Sequence, residues 1–159
     1  MQIRLFLNNI RSAHNVGAIF RTADGAGVEH VYLGGYTPTP IDRFGRRQPQ
    51  IAKTSLGASE TVPWEAVPIG EEAAVLRALQ DAGFAVVAVE QAVDSVSLYE
   101  FVPPARVVYV LGNEVAGVDS AILDVADTVL EIPLRGVKES LNVATTGGIV
   151  LFTHLPPAE

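Results

Sequence analysis

Ser140 and Asn142 stand behind an apolar segment, residues 129–132, that halts at Pro133, and just ahead of an apolar run, residues 143–155. Proline cannot donate to a sheet ladder, so a strand, a tight loop around Gly136 and a helix over 140–155 is the plain reading. The first N–H groups of a helix lack partners inside it and point outward, which suits a polar ligand. Capping of the helix by Ser140 is the competing use, and the residue type alone leaves both open. Two more polar turns follow apolar runs: Glu90-Gln91, and Gly112-Asn113-Glu114-Val115-Ala116-Gly117. Glycine at 112 and 117 either admits a ligand close to the backbone or simply makes the turn. Arg43, Arg46, Arg47 and Lys53 hold four of the 11 Lys and Arg residues, with Tyr36 and Phe44 nearby. Cations for phosphates and rings for stacking are what single-stranded RNA contacts require; a loop kept soluble by its charge has the same composition.

Alternating strands and helices must position these turns. Residues 2–7 alternate as a strand with a polar end at Asn8-Asn9. A helix over 12–23 buries Val16, Ile19, Phe20 and Ala23, spaced i, i+3, i+4, i+7, and leaves Arg21 at its exposed edge. Residues 28–33 read as a second strand, followed by a long loop over 34–53, a length that leans functional. Residues 60–64 are extended, 71–82 an amphipathic helix burying Ala74, Val75, Ala78, Leu79 and Ala82, and 84–89 a strand buried on both faces. Residues 94–101 are an irregular connector, 106–111 a buried strand, 119–125 a short helix. The pattern is an α/β domain on a mainly parallel sheet, in which ligands bind beyond the carboxyl ends of the strands. All three polar turns follow strands, so they can converge on one pocket.

With 159 residues and 48% hydrophobic content, a single domain over residues 1–159 is expected. No run approaches a membrane span, no secretory signal is visible, and the absence of cysteine excludes disulfides and thiolate chemistry, so a cytoplasmic protein without membrane contact is expected. His14 and His30 lack partners at ligand spacing and read as structural or exposed, so no metal site is expected. A net charge of −7 argues against a broad electrostatic grip on nucleic acid, so any RNA must meet a local basic patch. Neither G-x-G-x-x-G nor G-x-x-x-x-G-K-[ST] is present, which speaks against dinucleotide dehydrogenases and P-loop enzymes.

Three segments in order, Asn15-Val16-Gly17-Ala18-Ile19-Phe20-Arg21, Leu111-Gly112-Asn113-Glu114-Val115-Ala116-Gly117 and the stretch from Ile132-Pro133 to Ser140-Leu141-Asn142-Val143, resemble the motifs of the SpoU/TrmH-type RNA methyltransferases of the SPOUT superfamily. The resemblance covers nearly the whole chain. It implies helices on both faces of the sheet, a C-terminal trefoil knot, bound S-adenosylmethionine, a homodimer with the active site near the subunit interface, and methyl transfer to RNA (tRNA or rRNA), commonly at a ribose 2′-hydroxyl. By this match Glu90, Leu111, Gly112, Gly117, Ile132, Ser140 and Leu141 surround the cofactor. By the same match Asn15, Arg21, Glu114, Ser140 and Asn142 form the catalytic group; Arg43, Arg46, Arg47 and Lys53 are expected as the RNA patch from the composition of their loop alone. Ala144 stands where the family often has Ser, and the N-terminal RNA-binding extension of many relatives is not expected here. Transfer to a base nitrogen, and a catalytically silent RNA-binding module, are the alternatives. Alkaline hydrolysis separates the first from ribose methylation; the retained Arg21, Glu114, Ser140 and Asn142 argue against the second.

Overall fold

A computed structural model describes residues 1–155. Seven strands form one sheet: β1 (Gln2–Asn8), β2 (His30–Gly34), β3 (Trp64–Val67), β4 (Ala85–Val89), β5 (Val96–Ser97), β6 (Arg106–Leu111) and β7 (Thr128–Glu131). Six helices surround it: α1 (Ala13–Gly25), α2 (Pro49–Ser55), α3 (Ala58–Thr61), α4 (Glu72–Asp81), α5 (Ser120–Leu123) and α6 (Val143–Thr153). The strand order is β3-β2-β1-β6-β4-β7-β5 and every pairing is parallel. The expected α/β architecture on a parallel sheet is therefore present. No helix among the described residues is long and apolar enough to cross a membrane.

The pleat sorts the core into two layers. Successive side chains of a strand point to opposite faces. Ile3, Leu5 and Leu7 of β1 pack with Val31, Leu33, Val107, Tyr109 and Leu111 on one face, against Val16, Ile19 and Phe20 of α1 and Val150 and Leu151 of α6. Ile51 of α2 and Ala58 of α3 join this layer. Phe6, Tyr32, Val86, Ala88, Val108 and Val110 point the other way, onto Leu76 and Leu79 of α4 and Ile122 of α5. Each fully buried Leu, Ile or Phe contributes about 1.5–3 kcal/mol, so the continuous apolar runs of β4 and β6 follow from burial on both sides.

Several local expectations need correction. The long loop over 34–53 gives way to helix α2 from Pro49 onward. Pro49 sits at the first helical position, where its missing N–H costs nothing, and the Gln48 side chain accepts from Gln50 N. The expected extended piece at 60–64 is instead α3 followed by β3, and the connector 94–101 contains the edge strand β5. Helix α4 buries Glu72, Leu76 and Leu79, while Ala74, Ala78 and Ala82 are exposed. The small alanines gave a false stripe, because the two leucines carry far more apolar area. The last helix begins at Val143 rather than Ser140, so the loop after β7 is an eleven-residue excursion, not a tight turn.

Strand β7 occupies the slot between β4 and β5, which residues 90–95 alone connect. That insertion brings the carboxyl ends of β4, β6 and β7 side by side, with the 132–142 segment lying beyond them.

Candidate active site

A cavity of about 400 Å³ opens at those three strand ends. Its walls are Val89–Gln91 after β4, Leu111–Gly117 after β6, Leu130–Ile132 of β7 and its exit, and Leu134, Glu139–Leu141, Val143 and Thr146 beyond. Glu90, Leu111, Gly112, Gly117, Ile132, Ser140 and Leu141, the seven positions matched to a cofactor, all lie on this wall. The volume falls within the range of small-molecule sites. Among the described residues, neither the backbone N–H nor the C=O of Ile132, Leu134 or Leu141 enters a hydrogen bond. Backbone polar groups are normally satisfied, so unpaired ones lining a cavity are available to a ligand with matching donors and acceptors, such as a purine edge.

Gly112 is required by the protein itself. A Cβ there would collide with the Gly117 carbonyl carbon and Val118 N, and would stand 2.6 Å from Gly117 O. The turn is drawn tight by Asn113 N and Gly117 O at 2.9 Å, and by Gly117 N and Asn113 O at 3.0 Å. The Glu90 carboxylate closes the near side, accepting from Val118 N at 3.0 Å and Gln91 N at 2.8 Å. Gly147 lets α6 approach β6, since a Cβ there would lie 3.1 Å from the Leu111 side chain.

One polar network joins the rim to two helix starts. Glu114 Oε2 accepts from Arg11 N at 3.0 Å, and its Oε1 accepts from Ser12 N and Asn15 Nδ2, both at 3.1 Å. Asn15 Oδ1 in turn accepts from Asn142 Nδ2 at 3.1 Å. Asn142 Oδ1 accepts from Ala144 N at 2.9 Å and Thr145 N at 3.2 Å, so Asn142, not Ser140, caps α6. Ser12 caps α1 by accepting from Asn15 N. Burial pushes the Glu114 carboxyl up, but the N–H groups at Arg11 and Ser12 and the Asn15 amide outweigh it and hold the carboxyl below its ordinary value.

The sequence grouping assembles only in part. Asn15, Glu114 and Asn142 form one hydrogen-bonded chain. Ser140 is exposed on the cavity wall and has no hydrogen-bond partner among the described residues. Arg21 stands apart, exposed on α1, beside a second, more open cavity that it shares with His14, Lys53, Leu56 and Phe152. It has no ion-pair partner among the described residues. The basic cluster also divides. An isolated bridge between Ile41 and Arg47 closes a turn in which Asp42 accepts from Phe44 N, Arg46 N and Arg46 Nε. The Arg43 and Arg46 guanidinium carbons lie 4.7 and 5.0 Å from the Phe44 ring centre. Arg46 and Arg47 pair with Asp42 and Glu60 at 2.8 and 2.7 Å, whereas Lys53 lies on α2.

Further polar residues, outside the expected catalytic and cofactor positions, hold the rim. Asn8 and Asn113 are buried. Asn8 Oδ1 accepts from Asp119 N, and Asp119 Oδ2 accepts from the side-chain amides of Asn8 and Asn9. Asn113 Nδ2 donates to the Asn9 carbonyl at 2.8 Å and to the Tyr36 hydroxyl at 3.0 Å. The sequence signal for this cluster is the polar pair Asn8-Asn9 at the end of an apolar strand.

Comparison with known proteins agrees with this geometry. The family model described as the SpoU rRNA methylase family matches residues 2–152. A 23S rRNA (guanosine-2'-O-)-methyltransferase of Neisseria meningitidis is 33% identical over 147 residues, 92% of this chain and 55% of the relative. This chain thus spans about half the length of the curated relatives it matches. An AdoMet-bound rRNA methyltransferase from Sinorhizobium meliloti superposes with a TM-score of 0.83 at 30% identity, covering 95% of this chain and 54% of that one. The A. aeolicus TrmH/SpoU tRNA modifying enzyme gives a TM-score of 0.82 at 29% identity over 95% of this chain and 72% of its own. Motifs, parallel sheet and strand-end cavity coincide with these similarities, and the chain belongs to the SpoU rRNA methylase family.

Proposed function

We propose that this chain is an S-adenosylmethionine-dependent RNA methyltransferase that modifies a ribose 2′-hydroxyl of ribosomal RNA. The observation that carries the reading is the strand-end cavity with its unpaired backbone at Ile132, Leu134 and Leu141, beside the Glu114–Asn15–Asn142 chain. S-adenosylmethionine supplies a methyl group on a positively charged sulfur. Unspent backbone groups of the wall suit its adenine, and the turn over 112–117 shapes the floor. Asn15 and Glu114 keep the two helix starts in register, so that Ser140 and Leu141 stay on the wall. Holding two reactants in line is worth up to about 7–11 kcal/mol, and this is the main task of such a site. The slot filled by β7 is where we place the trefoil knot, because residues 90–95 already join the strands on either side of it.

The attacking hydroxyl must lose a proton, and a nearby cation favours the resulting oxyanion. Guanidinium groups stay protonated in proteins, so Arg21 is assigned the role of stabilising cation rather than base. Arg21 does not face the cavity of its own chain, and Leu56 and Phe152 beside it are 67% and 52% exposed. An exposed apolar patch of this kind suits a two-fold contact. We assign it to a homodimer in which Arg21 completes the site of the other subunit. The Arg43–Phe44–Arg46 turn, with Arg47 and Lys53, is assigned to RNA phosphates and bases. Transfer of labelled methyl groups from S-adenosylmethionine to a 23S rRNA transcript, followed by alkaline hydrolysis, tests the reading. Label retained in alkali-resistant dinucleotides is expected, with turnover lower by about 10²–10³-fold for Arg21→Ala and cofactor affinity kept. Label in free nucleotides would move the acceptor to a base; no transfer to ribosomal or transfer RNA would remove the enzymatic reading.

A further inference from the structure

The Tyr36 side chain bridges two regions that the proposed reaction uses separately. Its ring is 54% exposed at the start of the segment that carries the basic turn. Its hydroxyl accepts from Asn113 Nδ2 at 3.0 Å, and Asn113 lies on the wall of the strand-end cavity. Asn113 is the core of its own turn: Oδ1 accepts from Val115 N at 2.9 Å and Ala116 N at 2.8 Å. Its backbone exchanges both hydrogen bonds with Gly117. Outside the turn, the Asn113 side chain has two anchors among the described residues, the Asn9 carbonyl and the Tyr36 hydroxyl.

The base of the 36–47 segment is clamped as firmly. Tyr36 N donates to Asn9 Oδ1 at 3.1 Å, and Thr37 Oγ1 contacts the Leu7 and Gly34 carbonyls at 3.1 and 2.8 Å. A displacement of the Tyr36 ring therefore has few ways to relax except through its hydroxyl. Asn113 is only 8% exposed, so a donor freed there is left without water, which costs more than an exposed bond is worth. Resting on the methyltransferase reading above, we propose that Tyr36 is a positioning residue that couples RNA engagement to the cofactor cavity. RNA held on the Tyr36 ring and the basic turn fixes the hydroxyl, which fixes the 113–117 turn and tightens the cavity. Coupling is reciprocal, so bound cofactor tightens RNA equally.

The test is a binding cycle with the full chain, S-adenosylhomocysteine and a 23S rRNA transcript, for wild type, Tyr36→Phe and Tyr36→Leu. RNA is expected to raise the wild-type affinity for S-adenosylhomocysteine by about fivefold or more. Tyr36→Phe keeps the ring and loses the hydroxyl, so RNA affinity without cofactor holds while the coupling factor falls towards one. Tyr36→Leu loses the ring too and weakens RNA binding as well. Wild-type coupling that survives in Tyr36→Phe, or wild type that binds both ligands with no coupling, overturns the proposal. Wild type that binds neither ligand overturns instead the methyltransferase reading on which it rests.

Discussion

The two ends of the same parallel sheet are built on opposite principles. At the amino end, Arg4 of β1 and Arg106 of β6 both lie 4.3 Å from the centre of the Phe84 ring, and neither has a carboxylate partner among the described residues. Arg4 Nη1 donates to the Tyr32 hydroxyl at 2.9 Å, and His30 tilts against Tyr32 at 4.6 Å. The Nε atoms of both arginines are buried without a partner. Burial depresses the pKa of His30, with Arg4 adding to the effect and Glu65 opposing it. Rings and stems close this end against water. At the carboxyl end the polar side chains Asn8, Asn15, Asn113 and Glu114 are satisfied by neighbouring side chains, turns and helix starts, while the backbone of Ile132, Leu134 and Leu141 stays open. One end shuts its groups, the unpaired ones included, beneath rings and stems. The other keeps a set of groups unspent, and that is what a binding site requires.

Substitutions can break this contrast in a graded way. Gly112→Ala should do the greatest damage at the carboxyl end, because its Cβ would meet backbone rather than a yielding side chain. Overpacking of this kind costs about 1–3 kcal/mol, and calorimetry should show cofactor binding weakened more than tenfold. Phe84→Ala should cost about 3–5 kcal/mol of stability in denaturant unfolding, since the ring is buried beneath two guanidinium groups, yet leave cofactor affinity in the folded fraction unchanged. Loss of both together would mean that the two ends are not independent. Asn142→Ala removes the cap of α6 and should cost about 1 kcal/mol in thermal unfolding, with weaker cofactor binding because Leu141 and Val143 lie on the wall.

The smallest effect concerns acid. The folded pKa of Glu114 lies below 4.5, so its stabilising contribution is present above that value and is lost as pH falls through the folded pKa. The difference in melting temperature between wild type and Glu114→Gln should therefore shrink as the buffer is taken from neutral to below 4.5. A difference that stays constant with pH would assign the stabilisation to packing.

The contrast also explains what was legible beforehand. Continuous apolar runs gave β4 and β6 almost to the residue, and the spacing of Val16, Ile19, Phe20 and Ala23 gave the buried face of α1. Strand-end turns were legible as ligand-facing because a parallel sheet leaves only its carboxyl end free. Pro49 masked α2, since a proline opens a helix as readily as it ends a strand. Ser140 drew the helix start three residues too early because Ser and Asn cap equally well and only the fold decides between them. The separation of Arg21 from the Asn15–Glu114 chain was legible in the spacing, because six helical residues carry it well round α1 to the exposed edge and away from Asn15; only the family resemblance grouped the two. Tyr36 and Asn113 meet across 77 positions, a pairing that no local pattern encodes.

The account stands on the claim that the carboxyl-end cavity holds S-adenosylmethionine, and calorimetric titration of the purified chain with S-adenosylmethionine and S-adenosylhomocysteine tests it most directly. Micromolar binding at one site per chain, abolished or strongly weakened by Gly112→Ala and retained in Arg21→Ala, is the predicted result. Folded protein that binds neither compound, with 23S rRNA transcript present, would contradict it.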